Sequence, residues 1–433
     1  MPSPASDILF NVYASPTGDA SGIATSIDIY CDCLFGRLQE CCSAIGRMSI
    51  RDDLPECVLQ IPSYLGMLDR NDQRKLIYDP RFGILLLRLE QQLASDIANV
   101  NFPVSLQLCV GGLLFFLLPS ISNEFLGQDI SFAVYFAAEE CISPFGVTWY
   151  ISPKKNGPMR VLVRVSEQQV LLQTDKGHEL ARIPFTDLEP HSVGKNLFIT
   201  ASWGNLQLKQ FSEFSGFEIS SLTSLPEVLG GCKPSNWLNV PYTPELGNRL
   251  NETVNFLRHV WIEGYEDVRQ FCRIIVPLET PSQTPGSVAS ATIPGIVGAT
   301  FSTPDPLLCA ELLVHEVSHI KLDLLLRRTT LFFNDGPALY RHPWRSDRRP
   351  IMGVMFAAHA FVAVLQLYAR ALHCGLGTRS KKVYSLLYTQ VAESLNELER
   401  HAEYTSDGRR FMDILLTSFR ATKLSSAVSL DVV

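Results

Sequence analysis

One long apolar helix with a few polar residues constrains the fold of this chain most. Asp305 and Pro306 have the form of a helix start, an aspartate cap followed by proline in the first turn. Leucine, valine and isoleucine then recur densely until Arg327 and Arg328, which stand where the helix dipole favours cations. A helix that is apolar on all sides is buried. The sequence therefore predicts a helix between these limits, inside a hydrophobic core.

The polar residues on this helix form a stripe that needs partners. His315 and His319 are four residues apart, so both imidazoles project from one face, and Glu311 lies one turn earlier. Together with Glu316 the histidines spell H-E-x-x-H, a pattern typical of zinc metallopeptidases. A buried polar group is costly unless it is satisfied. A divalent metal satisfies the stripe, and the alternative is a pair of core histidines with other polar partners.

The third protein ligand decides between the possible reactions. Glutamate-type zinc peptidases supply a glutamate from a downstream helix, but none occurs here between Glu316 and Glu393. Metzincins place a third histidine six residues after the second, and that position is Leu325. Neither peptidase pattern is met. The nearby candidates are Asp323, Asp335, His342, Asp347 and His359.

His359 is the candidate that we favour. It lies in the uncharged stretch 351–369, and its neighbours are mostly alanines, which leave room for the imidazole to meet a metal and a small ligand. The alternative is a core histidine with a hydrogen bond elsewhere. The stretch is long enough to span a membrane, but its histidine and glutamine favour a helix buried in a large core.

An arginine-rich segment, YRHPWRSDRRPIMG, precedes that helix at residues 340–353. It contains Arg341, Arg345, Arg348 and Arg349, with Trp344 among them. A guanidinium group binds a carboxylate through two parallel hydrogen bonds. Four such groups near a metal indicate an anionic co-substrate. The alternatives are a solvated basic loop, or salt bridges to neighbouring aspartates.

The remaining sequence predicts an α+β fold. We expect a helical N-terminal region at 1–145, a small antiparallel β region at 146–240 and a mainly helical catalytic domain, with the buried H-E-x-x-H helix, at 241–433. Alternating runs such as RVLVRVS and QVLLQT indicate the strands. RIIVPLE, residues 273–279, predicts another strand. The Pro-, Ser- and Gly-rich segment after it predicts a long irregular loop.

Composition narrows the environment and the partners. The chain is 46% hydrophobic and 19% charged, as soluble globular proteins are. A net charge of −7 gives no reason to expect binding to nucleic acid or to an anionic membrane. The eleven cysteines are an odd number with irregular spacing, which indicates reduced thiols. Together with the absence of a secretory signal pattern, this predicts a cytoplasmic protein.

Three blocks of sequence, in order, resemble one family. LLVHEVSH, HPWRSDRRP and GVMFAAHAFVAV are similar to motifs of the HExxH-motif peptide-modification proteins, which occur beside ribosomally made, post-translationally modified peptides in bacteria. The resemblance covers residues 273–370 well and the rest only in general layout. Three blocks are far more specific than the H-E-x-x-H motif alone. Arg348 departs from the family pattern, in which proline is usual.

The resemblance implies a non-haem iron(II) oxygenase that uses 2-oxoglutarate and O2. Its expected substrate is a ribosomally synthesised precursor peptide, and the expected reaction is hydroxylation of a side chain. The resemblance implies iron on His315 and His319, with His359 as third ligand. It also implies that Arg345 or Arg349 anchors 2-oxoglutarate. In such an enzyme Glu316 is expected to orient a ligand rather than to act as a base, and Trp344 to hold an arginine in place.

Two other readings of these residues stay open. The first is a metallopeptidase that uses Zn(II) and Glu316 as general base on a similar peptide. The second is a non-catalytic binding protein without a metal. Bound metal separates the second from both enzymes. The mass of the product separates the enzymes, since one adds an oxygen atom and the other cuts the chain.

Overall fold

The computed structural model describes the chain in separate stretches. They are residues 20–48, 56–94, 106, 109–114, 117, 130–136, 141–142, 147–151, 159–166, 169–174, 177, 179–184, 198–199, 206–210, 218–219, 238–239, 244–280, 284–290, 293–376 and 378–423. The chain forms two compact units, Ile27–Glu213 and a second that joins Met1–Ser26 to Phe214–Val433. The fold is mainly helical with small antiparallel and mixed sheets, which confirms the predicted α+β class. The region boundaries at 145 and 240 stay predictions.

The unit Ile27–Glu213 begins with helices that bury leucine and aromatic side chains. These helices are α1 (Ala20–Gly46, whose first residues belong to the other unit), α2 (Ile61–Met67), α3 (Arg70–Ile77) and α4 (Pro80–Ala94), with a short 3-10 helix at Glu56–Gln60. Leu38 and Phe82 are fully buried. An ion pair of 2.7 Å between Arg74 and Asp28 joins α3 to α1. Apolar burial and this pair hold the helices together.

Two antiparallel four-stranded sheets follow in the same unit. Their strands are β1 (Ile130–Phe136), β2 (Cys141–Ile142), β3 (Val147–Ile151), β4 (Met159–Ser166), β5 (Gln169–Thr174), β6 (Glu179–Pro184), β7 (Phe198–Ile199) and β8 (Leu206–Gln210). The strand orders are β1-β4-β5-β6 and β2-β3-β8-β7. The predicted strands RVLVRVS and QVLLQT are therefore confirmed as β4 and β5. Gly177, between β5 and β6, has a φ of 78°, which glycine adopts without strain.

The second unit contains the H-E-x-x-H helix. Its elements are β9 (Glu218–Ile219), β10 (Leu238–Asn239), α5 (Pro244–Val260), α6 (Ile262–Phe271), β11 (Ile274–Glu279), β12 (Ser287–Ala289), β13 (Ile296–Thr300), α7 (Pro306–Leu326), α8 (Ile351–His373), α9 (Thr378–His401) and α10 (Ser406–Ala421). The sheet has the order β10-β11-β13-β12, with β9 also on β11. Strand β13 runs parallel to β11, and β12 runs antiparallel to β13.

The prediction of one long irregular loop before α7 is wrong, because that segment contains β12 and β13. All five residues of β13 are buried, and it pairs with β11 from Ile296 to Thr300. Gly298 allows the close packing: a Cβ there would lie 2.7 Å from a Leu278 methyl carbon. Gly298 therefore allows β13 to pack closely against Leu278 of β11, and it does not mark a flexible loop.

Helix α7 begins as its sequence predicts. The Asp305 carboxylate accepts a hydrogen bond of 3.0 Å from the backbone N–H of Leu307, and Pro306 occupies the first turn. Most of the helix is buried, including Leu313, Val317 and Leu322. The capped start and the buried apolar surface fix the position of the histidines along the helix.

Removing the cap should destabilise the protein modestly. Asp305→Ala loses the bond to Leu307, so its free energy of unfolding should fall by about 1 kcal/mol. Asp305→Asn is the control, because asparagine caps helices about as well as aspartate. Denaturant unfolding of both variants checks this, and equal losses in the two would contradict it.

Helix α8 is long and apolar enough to cross a membrane, the one such helix in the described stretches. However, 72% of its most apolar window is buried inside the protein. It packs against α7 on one side and α9 on another. Most of its apolar window is therefore covered by other parts of the protein.

Candidate metal centre

The two motif histidines meet at their ring nitrogens. The Nε2 atoms of His315 and His319 are 3.0 Å apart, and the rings stand edge to face with centroids 4.6 Å apart. The side-chain donor atoms of His315, Glu316 and His319 all lie within 4.8 Å of one another. Glu311, one turn earlier, is instead satisfied by the Tyr368 hydroxyl, which donates to it at 2.6 Å. The polar residues of α7 therefore form two sets. The Glu311 carboxylate is hydrogen bonded to Tyr368, and the other three residues are possible metal ligands.

Strand β12 holds the Glu316 side chain. The Ser287 hydroxyl donates to Glu316 Oε1 at 2.7 Å, and the backbone of Ala289 hydrogen bonds to the same carboxylate. Burial nevertheless raises the pKa of Glu316 to about 7. The carboxylate is thus oriented by the edge of the sheet and can change its protonation state near neutral pH.

Burial keeps both histidines neutral at pH 7. It lowers the pKa of His319 to about 4. Burial, together with the neighbouring His319, lowers the pKa of His315 well below its usual value. A neutral imidazole has a lone pair for a metal. Nδ1 of His319 is itself buried, and none of the described residues hydrogen bonds to it, so this half-buried ring lacks a full set of polar partners.

The separation of the two nitrogens fits a shared metal ion. Two nitrogens bound at right angles to one ion, each at about 2.1 Å, are about 3.0 Å apart, whereas tetrahedral ligands are about 3.4 Å apart. The distance between His315 and His319, 3.0 Å, matches the first case, and it is also the length of a hydrogen bond between the two neutral rings. Two histidines and a carboxylate with open positions are also the donor set of non-haem iron(II) oxygenases. The residues present could therefore hold a divalent metal ion such as iron(II).

An open cavity adjoins this group of donors. Its volume is about 320 Å³, within the range of about 300–1,000 Å³ that small-molecule sites occupy. It is lined by residues of β12 and the turn after it, of α7 and of α8: Ala289, Ser290, Glu316, His319, Ile320, Asp323, Gly353 and Phe356. A small ligand in this cavity lies beside His319 and Glu316.

Aromatic rings of α8 form the wall around the histidines. The Phe361 ring lies 4.9 Å from that of His315, and the Phe356 ring lies 5.7 Å from that of His319. The Trp344 ring stacks on Phe361 at 4.1 Å with an angle of 11° between the planes. The Phe361 ring therefore lies between Trp344 and His315. The stacking partner of Trp344 is Phe361 rather than an arginine.

His359 lies in a different place. It lines a small cavity of about 20 Å³, room for about one water molecule, with Asp267, Ser318 and Lys321 among the other lining residues. The Lys321 ammonium and the Asp267 carboxylate form a buried ion pair of 2.7 Å there. Within the described stretches His359 is not part of the group formed by the other three donors. Its role as third ligand stays a prediction, and this packing does not favour it.

The two arginines expected to anchor a co-substrate differ in position. The Arg349 side chain packs along Gly353, so that a Cβ on Gly353 would lie 3.2 Å from it, and Gly353 lines the large cavity. Arg349 also forms an ion pair of 2.9 Å with Asp347, while its Nε is buried with no hydrogen-bond partner among the described residues. Arg345 is exposed. Of the two arginines, Arg349 is therefore the one that packs against a residue of the large cavity.

The other candidate ligands are dispersed. Asp323 lines the large cavity and forms an ion pair of 3.1 Å with Arg327. His342 is buried beside Trp344, with ring centroids 5.6 Å apart. Asp335 is exposed. Only Asp323 of these three borders the cavity with His319.

Sequence reasoning missed the residues that β12 and α8 contribute. Ser287 and Ala289 orient Glu316, and Phe356 and Phe361 enclose the histidines. A three-residue strand gives almost no periodic signal, so β12 becomes visible only through its pairing with β13. The phenylalanines stand in the sequence as ordinary core residues.

Comparison with protein-family models gives no match for this chain, and comparison with curated proteins gives no significant match. Interpretation of the site therefore depends on its own geometry.

Proposed function

We propose that this chain is a non-haem iron(II)- and 2-oxoglutarate-dependent oxygenase that hydroxylates a side chain of a ribosomally synthesised precursor peptide. The observation that carries the proposal is the group of three donors, His315, Glu316 and His319, on α7 beside an open cavity of about 320 Å³. Two neutral histidines and one carboxylate leave half of a six-coordinate ion free for a chelating co-substrate and O2.

The protein's own residues have separate tasks in this proposal. Iron(II), with 2-oxoglutarate and O2, supplies the oxidising chemistry. His315 and His319 hold the ion, and Ser287 keeps the Glu316 carboxylate in position through their hydrogen bond of 2.7 Å. The rings of Phe356 and Phe361 exclude water from the side of the histidines that faces α8.

Two residues are candidates for the third ligand. Glu316 is supported by its distance from the histidines, within 4.8 Å. His359 is the ligand that the family resemblance implies. The proposed reaction is compatible with either, since both give three protein ligands.

Arg349 is the proposed anchor for 2-oxoglutarate. Its guanidinium has a buried Nε without a hydrogen-bond partner among the described residues, and its aliphatic part packs against the cavity residue Gly353. A carboxylate that binds there gains a charge-assisted hydrogen bond in a partly dry setting. Trp344 supports the loop from inside through its stacking on Phe361.

Changing this arginine should weaken co-substrate binding selectively. Arg349→Lys keeps the charge but loses the planar fork, so affinity for 2-oxoglutarate should fall about ten- to a hundredfold. Iron should stay bound, because arginine is not a ligand. The measurement is an anaerobic titration of iron-loaded protein with 2-oxoglutarate, followed through the metal-to-ligand charge-transfer absorption. Arg345→Lys is the matched control, and a loss confined to that variant would move the anchor to Arg345.

The reaction itself is tested by product mass. Purified protein with iron(II), 2-oxoglutarate and O2 is incubated with candidate precursor peptides, and peptide mass and succinate are measured. The proposal expects a gain of one oxygen atom, with one succinate formed for each hydroxylation. Shortened peptides formed without 2-oxoglutarate would contradict it.

A zinc peptidase is the second candidate, and one observation favours it. Burial raises the pKa of Glu316 to about 7, which suits a general base near neutral pH. Glu316 would then activate water beside Zn(II) held by the histidines. Glu316→Gln should abolish nearly all turnover of such a peptidase, whereas the oxygenase loses activity only as far as it loses iron.

The proposed location is the cytoplasm, and the proposed partner is a peptide. The cysteines whose side chains the structure describes are free thiols, as in a reducing compartment. The net charge of −7 disfavours nucleic acid and an anionic membrane as partners.

A further inference from the structure

The segment before α8 forms a closed loop. Tyr340 and Arg349 face each other in an antiparallel bridge: the Tyr340 N–H donates to the Arg349 carbonyl at 2.7 Å, and the Arg349 N–H donates back at 3.0 Å. The eight residues between them, 341–348, form the loop. Its ends are therefore joined by paired backbone hydrogen bonds.

The inner side of the loop is packed against the protein. His342 is only 8% exposed, and Trp344 stacks on Phe361 of α8. The Tyr340 ring lies 5.3 Å from that of His401 on α9. These contacts hold the loop backbone in place, so the residues on its other side project from fixed backbone positions.

The outer side of the loop is basic. Arg341, Arg345 and Arg348 are exposed, and Leu339, just outside the bridge, is 52% exposed. All three arginines belong to the loop that the bridge between Tyr340 and Arg349 closes. We refer to these four residues as the basic patch.

Within the described part of the chain, two of the three arginines in the basic patch have no carboxylate partner. Arg341 meets two carboxylates of α9: its backbone N–H donates to Glu397 at 3.2 Å, and its Nη2 lies 3.8 Å from Glu393, a loose pair in which the arginine side chain is 77% exposed. Among the described residues no carboxylate lies within salt-bridge distance of Arg345 or Arg348. Their exposed guanidinium groups are therefore available to a negatively charged ligand.

We propose that the basic patch binds an acidic segment of a peptide, with an apolar side chain of that peptide on Leu339. Guanidinium groups bind carboxylates with two hydrogen bonds each, and a fixed loop loses little entropy when the ligand binds. The patch is short and belongs to a chain of net charge −7. A long polyanion would be repelled outside the patch, whereas a short acidic segment fits.

This inference deepens the proposed function and rests on it only for the identity of the peptide as substrate. Arg349, at the base of the same loop, packs towards the cavity through Gly353. Arg348, its neighbour, is exposed. The loop therefore offers one arginine to a small acid in the cavity and the others to a peptide outside it.

The test measures peptide binding without catalysis. Full-length protein treated with a chelator is titrated into a short fluorescein-labelled peptide in which glutamate alternates with leucine, and anisotropy is recorded. Arg345→Glu/Arg348→Glu should weaken binding about tenfold or more, because two attractions become repulsions. Arg420→Glu/Lys423→Glu carries the same change in charge at the end of α10 and should leave binding nearly unchanged. Thermal unfolding of both variants checks that they are folded.

Several outcomes would overturn the inference. No binding, equal loss in both double variants, or equal binding of a peptide with lysine in place of glutamate would each do so. Equally tight binding of oligothymidylate or of phosphatidylserine vesicles through the same arginines would reassign the patch to a general polyanion surface. Because metal and 2-oxoglutarate are absent, peptide binding can succeed while hydroxylation fails, and the reverse.

Discussion

Replacing His315 or His319 with alanine should abolish stoichiometric binding of iron(II). Their Nε2 atoms are 3.0 Å apart, as two adjacent ligands of one ion are. Mutation of a residue that only orients a metal ligand lowers the affinity for the metal about ten- to a hundredfold. Loss of a ligand itself should therefore cost more than about a hundredfold. The measurement is iron content after anaerobic loading and desalting, together with competition against a chromophoric chelator.

His373→Ala is the control for this experiment. His373 lies at the end of α8 and is exposed, and its Nδ1 hydrogen bonds to the backbone of Ala369 within the same helix. Full iron occupancy in both the His315 and the His319 variants would contradict the proposed metal site and therefore both enzyme proposals. Loss of iron in the His373 variant as well would indicate non-specific binding.

Only one of the variants Glu316→Gln and His359→Ala should lose iron binding, and which one does so identifies the third ligand. If Glu316 is the ligand, its variant should lose more than about a hundredfold in affinity, since a neutral amide replaces a charged donor. Glutamine preserves an acceptor for Ser287, so the geometry at β12 is maintained. His359→Ala should then leave the affinity within a few-fold, because His359 lines the separate cavity with Lys321.

The reverse result would support the ligand set that the family resemblance implies. His359 is 4% exposed and its ring lies 5.5 Å from that of Phe411, so its loss also leaves a cavity. Thermal unfolding is therefore measured with iron content. A His359 variant that loses iron while it remains folded would make His359 the ligand, and the rings of α7 and α8 would have to rearrange when metal binds.

The Glu316→Gln variant also distinguishes a loss of the catalytic reaction from a loss of metal binding. An oxygenase that loses iron in Glu316→Gln loses hydroxylation in proportion. A peptidase that uses Glu316 as general base keeps its metal and loses turnover. Measuring metal content and product mass in the same variant therefore distinguishes a ligand from a base.

Local sequence was sufficient to predict the elements whose signals lie within a few residues. The cap at Asp305, the apolar helix behind it and the spacing of His315 and His319 all follow from helical periodicity and are found in the structure. The antiparallel strands β4 and β5 were predicted from alternation in the same way. The bridge between Tyr340 and Arg349, by contrast, has no signal of this kind.

The sequence by itself determined that two histidines and a glutamate share one buried helix. Only the tertiary structure decided what surrounds them, because pairing and packing join residues that are far apart in the chain. Strand β12 brings Ser287 to Glu316 across 29 positions. The orientation of α8 about its own axis places Phe356 and Phe361 beside the histidines and His359 at the cavity beside Lys321. A helix pattern identifies which residues are buried, but the neighbouring elements determine which face meets which partner.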